Sequence, residues 1–108
     1  MSVVSTVIIT TWLGEADSYK LPKAIKFLNK RTDFGSGSFV PVHDYTTGKH
    51  PECYIFLAAY NYLRWEEFVE AVKNAPWKFP DRVQILWRDD KEYLFKSFVL
   101  KDFQKDGK

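Results

Sequence analysis

Both histidines and the only cysteine of this chain fall in one short stretch, as His43, His50 and Cys53, with Asp44 beside the first. Imidazole, thiolate and carboxylate are competent transition-metal ligands. The spacing H-x6-H-x2-C fits no standard zinc pattern, however, and a fourth ligand would have to be Asp44 or a distant residue. Adjacent residues on an extended segment point to opposite faces, so His43 and Asp44 do not share a proton target. His50 and Cys53 lack the surroundings that mark a thiol nucleophile and its base. The stretch reads as a polar loop, and no metal, cofactor or catalytic residue is expected.

Gly35-Ser36-Gly37-Ser38 has the composition of a phosphate loop but the wrong context. It follows a candidate helix and precedes a candidate strand, whereas a phosphate loop runs from strand to helix N-terminus. It reads as a flexible linker. Lys23, Lys26 and Lys30 recur at helical spacing, with Lys20 and Arg31 near the ends of the row, a pattern able to meet phosphate or an acidic protein surface. The competing reading is a solvated helix face, partly matched by Glu66, Glu67 and Glu70 on a second helix.

Aromatic residues are the compositional outlier at 18%: nine Phe, six Tyr and four Trp. Alternation along Cys53–Tyr60 puts Tyr54, Phe56, Ala58 and Tyr60 on one face and Cys53, Ile55, Leu57 and Ala59 on the other. The aliphatic set suits contact with helices, so the aromatic stripe is expected on an uncovered sheet face. Such a stripe serves as an interface with a protein or a second copy, as a stacking platform, or as a seat for the 32–52 loop. A single-stranded RNA platform, as in RRM domains, wants a basic residue and a glycine that CYIFLAAY does not supply.

Two strand–helix units must position these groups. Val3–Trp12, rich in β-branched residues, reads as a strand. The basic segment 20–31 follows as a helix with Pro22 in its first turn and Leu21, Ala24, Ile25 and Leu28 on its apolar face. Phe39–Tyr45 is expected as an edge strand because of Pro41. Cys53–Tyr60 is the central strand, and 63–74 a helix capped by Asn61 that buries Trp65, Phe68, Val69 and Val72. Arg82–Arg88 and Glu92–Leu100 read as a hairpin, and Lys101–Lys108 as a frayed tail. The order predicts an α+β two-layer sandwich, ferredoxin-like, with two helices on one face of a four- to five-stranded, mostly antiparallel sheet.

At 108 residues and net charge +2, a single domain is expected. One cysteine excludes an internal disulfide and favours the cytoplasm; neither a secretory signal nor a membrane span is expected. The best-supported function is stoichiometric binding, as a partner or inhibitor of another protein, acidic partners included, through Lys23, Lys26, Lys30, Tyr45, Tyr54 and Phe56. Immunity proteins and phage-encoded inhibitors are similar in size and texture, an analogy without a motif behind it. The alternatives are a nucleic-acid-binding domain using the same lysines and aromatic face, and a small homodimeric enzyme.

Overall fold

β-branched residues crowd Val4–Trp12, which forms the central strand β1. The computed structural model describes residues 4–15, 21–31, 33–42 and 53–104. Burial alternates along β1: Ser5, Val7, Ile9 and Thr11 are buried, and the residues between them are not. A 3-10 turn at Leu13–Glu15 follows. Helix α1 spans Lys23–Lys30, strand β2 Val40–Val42 and strand β3 Cys53–Asn61. Helix α2 covers Trp65–Asn74, and a 3-10 turn at Pro80–Arg82 leads to β4, Gln84–Asp89. Strand β5, Lys96–Val99, passes directly into a short helix α3, Leu100–Gln104.

The strands form one five-stranded sheet in the order β2-β3-β1-β4-β5, with every neighbouring pair antiparallel. Its buried face carries Val7 and Ile9 of β1, Phe56, Ala58 and Tyr60 of β3, and Ile85 of β4. Ile25 and Leu28 of α1 and Phe68, Ala71 and Val72 of α2 join the same apolar cluster. Both main helices therefore draw on one face of the sheet. The apolar face read for α1 holds, with Ala24, Ile25 and Leu28 fully buried and Leu21 packed at the margin. β2 is an edge strand containing Pro41, where a missing backbone donor costs no ladder bond.

Three expectations are corrected. The faces of β3 are inverted: Phe56 is 3% and Tyr60 1% exposed beneath the helices, Tyr54 is half-buried on the same side, and Leu57 faces outward. The register explains this, because Phe56 lies opposite Ile9 and Ala58 opposite Val7, both buried on β1. The larger rings also remove more apolar area from water under the helices than Ile55 and Leu57 would. Asn61 is not the cap of α2; it ends β3, and Arg64 occupies the N-cap without a side-chain capping bond. The strand read as Glu92–Leu100 is shorter, Lys96–Val99, and Leu100 begins helix α3 instead of closing the strand. Leu100 is wholly buried, its N–H donates to the Val83 carbonyl, and the Val99 N–H donates to the Asp102 carboxylate. The expected tail at 105–108 lies outside the described residues.

Candidate functional site

The outward face of the sheet carries no helix among the described residues, and its register builds apolar rows across it. Val40, Leu57, Ile8, Leu86 and Ser97 stand opposite one another from β2 to β5. Val42, Ile55, Thr10, Gln84 and Val99 form the next row. Val40, Val42, Leu57 and Val99 are exposed, and Ile8, Ile55 and Leu86 are half-exposed. Arg88, opposite Thr6, is the one charged strand residue in these outward rows among the described residues. Its guanidinium lies 5.3 Å from the ring centroid of Phe95.

Phe95 belongs to the tip of the β4–β5 hairpin, where Tyr93 is 95% and Leu94 81% exposed. No other large apolar side chain among the described residues is so open to solvent. The opposite side of the hairpin is rigidly packed. Trp87 stacks on Trp65 of α2 at 4.2 Å with an 11° interplanar angle, Phe98 packs 5.3 Å from Trp65, and the Lys96 ammonium lies 4.7 Å over Trp87. The tip is thus presented on a fixed base.

Lys23, Lys26 and Lys30 are all exposed along α1. Glu66, Glu67 and Glu70 are exposed along α2, yet among the described residues no ion pair joins the two sets; Glu70 instead meets Lys73 at 3.9 Å. The basic row is therefore not neutralised by the acidic helix. Of the remaining residues singled out in the sequence, Tyr54 and Phe56 belong to the helix-covered face, which removes them as exposed anchors. Cys53 is half-buried at the start of β3. Tyr45, His43, Asp44 and His50 lie outside the described residues.

A cleft of mixed polar and apolar lining opens where the end of α1, residues 33–39 and the β3–α2 junction meet. Its volume is about 530 Å³, and Arg31, Arg64, Tyr62 and the Gly35–Ser38 loop line it. The loop is anchored at several points rather than free. The Asn29 side chain donates to the Phe39 carbonyl and accepts from the Phe39 N–H, the Arg64 N–H donates to the Phe34 carbonyl, and Ser36 bridges Asn61. Phe34 and Phe39 insert into the core against Tyr60, at centroid distances of 5.5 and 5.9 Å. Gly37 is required by close approach: a Cβ there would lie 2.4 Å from the Ala59 carbonyl oxygen.

Arg31 grips Asp33 through Nε and Nη2, at 2.9 and 2.7 Å, while Arg64 donates to the Asp33 carbonyl at 2.9 Å. The hydrogen bond from Arg31 holds the Asp33 carboxyl below its usual range and raises the guanidinium in turn. Tyr62, exposed beside them, sits at φ 55°, a left-handed backbone that a non-glycine residue adopts at a cost. The sequence named this loop but not its partners. Arg31, Tyr62 and Arg64 lie up to 29 positions from it, and only the fold brings them together. Comparisons with protein-family models, with curated proteins and with solved structures find no match.

Proposed function

We propose that this protein works by binding a different protein through the open face of its sheet and the adjoining hairpin tip. The observation that carries this is the row of exposed and half-exposed apolar side chains from Val40 through Leu57 and Ile8 to Leu86, flanked by Val42, Ile55 and Val99 and extended by Tyr93 and Leu94. Five strands at about 4.8 Å spacing and a nine-residue centre at ~3.3 Å per residue give a footprint of several hundred Å². That is of the order one side of a standard interface buries, about 800 Å². Exposed apolar patches of this size on a small protein mark contact sites. The protruding tip favours a partner with an apolar recess over a flat second copy, because Tyr93 and Leu94 would stand outside a plane-to-plane sheet contact. Buried aromatic and aliphatic anchors of this kind carry most of the energy in known interfaces. The strand order and antiparallel pairings also support a ferredoxin-like reading, with β5 added beside β4.

The test immobilises the full chain and compares wild type with Leu57→Lys/Val99→Lys and with Tyr93→Ser/Leu94→Ser, all at exposed positions. A partner retained by wild type at defined stoichiometry and lost by both variants supports the proposal. Equal retention by both variants overturns it. A concentration-dependent doubling of mass in light scattering, abolished by the Leu57→Lys change, assigns the face to a second copy and overturns the choice of a different protein.

A second reading is favoured by the unneutralised row of Lys23, Lys26 and Lys30, which points away from the open face: contact with an acidic protein or a nucleic acid. Phosphate contacts made by three lysines would weaken steeply with salt. An apolar-face complex would not.

A further inference from the structure

Resting on the reading of the open sheet face as a contact surface, we infer that the partner presents a carboxylate to Arg88 from within an apolar segment. One charge-assisted pair then forms inside an otherwise apolar contact. Arg88 is the one charged strand residue in the outward rows among the described residues, and it stands where the two parts of the surface meet. Leu86, Ile8 and Leu57 lie in the next row on one side of it. The hairpin tip with Tyr93 and Leu94 follows on the other.

The charge of Arg88 is held in place and left uncompensated. Its guanidinium lies 5.3 Å from the ring centroid of Phe95, a cation–π contact that fixes its position without neutralising it. No carboxylate lies within ion-pair distance of it among the described residues. Its Nε is buried and has no hydrogen-bond partner. The neighbouring acids are engaged elsewhere or stand in solvent. Asp89 accepts from the Ser5 hydroxyl at 2.5 Å, Asp90 is exposed at the turn, and Glu92 accepts the Asp89 N–H and pairs with Lys96 at 3.1 Å. Glu92 senses Arg88 only through space.

A half-buried cation with an unpaired donor is costly in the free protein, and an arriving carboxylate offsets that cost. A carboxylate also matches the guanidinium fork in geometry. A nucleic-acid backbone would instead set several phosphates against uncharged aliphatic rows that hold one cation. A second copy is no substitute, because the outward strand rows offer no carboxylate among the described residues. Arg82, whose guanidinium lies 5.1 Å over Trp12, is exposed and solvated, so a pair made there would add little.

The experiment pans a phage-displayed library of random 16-residue peptides against the full chain and measures the affinities of the enriched peptides by fluorescence anisotropy. Enriched sequences are expected to combine Asp or Glu with large apolar residues. Arg88→Met is expected to weaken them about thirtyfold or more, as loss of one member of a desolvated charge pair does. Arg88→Lys, which keeps the charge but not the fork, is expected to be intermediate, and Arg82→Met near wild type. Arg88→Met should also unfold in urea no more readily than wild type, because it removes an unpaired buried donor. A marked loss of stability would assign Arg88 to the fold and overturn the proposal. Peptides lost with Leu57→Lys but indifferent to Arg88→Met overturn the carboxylate and leave the open-face reading standing. Peptides indifferent to both overturn both. Failure to enrich any acidic, apolar peptide overturns the proposal as well.

Discussion

Glu15 is the most consequential single side chain outside the candidate sites. It is 2% exposed, and its carboxylate accepts the backbone N–H groups of Lys78 and Phe79 at 2.6 and 3.1 Å. That ties the end of β1 to the loop after α2, and Trp12 packs edge-on against Phe79 at 4.8 Å in the same knot. Glu15→Ala leaves two backbone donors without partners, at about 1–3 kcal/mol each if water does not reach them. An unfolding free energy from urea titration lowered by roughly that amount is expected, with Glu15→Gln intermediate; an unchanged value would mean that water replaces the carboxylate.

Two surface carboxyls, exposed Asp33 and half-exposed Glu92, predict the acid limb of the stability profile. Asp33 is held low by the hydrogen bond from Arg31, and Glu92 by the Asp89 N–H and then by Lys96. Folded values below the unfolded ones mean stability that is present above the unfolded pKa, about 4, and lost as pH falls through the folded values. Asp33→Asn/Glu92→Gln should therefore flatten the fall of the melting temperature below about pH 4. A parallel fall in the variant would show that other groups govern that limb.

At the scale of elements, periodicity located the pieces and packing decided their orientation. The apolar face of α1, the edge position of β2 and the interior place of β3 follow from residue types alone: i, i+3, i+4 spacing, Pro41 and an unbroken apolar run; that β1 rather than β3 is the central strand does not. The face of β3 does not, because both faces of CYIFLAAY are apolar and alternation says which residues share a side, not which side is covered. Only the partners Ile9 and Val7 on β1 settle it. The cleft was half legible. The glycines and serines were visible, but the need for Gly37 arises from the Ala59 carbonyl above it. The start of α3 is not legible, because Leu100 reads equally well as the last residue of a strand. Leu100→Ala should cost about 2–5 kcal/mol in thermal or urea unfolding, as a large-to-small change in a packed core does. A loss under about 0.5 kcal/mol, typical of surface positions, would return this segment to a loose tail.

Across the whole molecule, charge and apolarity are separated. The helical layer carries a basic row on α1 and an acidic row on α2, while the open sheet face is nearly uncharged. The two rows do not pair, so the segregation is not maintained by the folding energy of ion pairs. Exposed pairs would in any case supply only about 0–1 kcal/mol each. Lys23→Glu/Lys26→Glu/Lys30→Glu consequently breaks no ion pair among the described residues and uncovers no core residue. Its unfolding free energy in moderate salt is expected within about 0.5 kcal/mol of wild type, the usual range for such surface changes. At low salt the weakened stability of a longer-range attraction between α1 and α2 would appear as a difference that salt removes. The same triple variant should leave capture through the open face intact, since Leu57 and Val99 lie on the other side of the sheet from α1. A loss of more than about 1 kcal/mol in moderate salt would show that the lysines support the fold. A loss of the partner with stability unchanged would move the binding surface from the sheet to the basic helix.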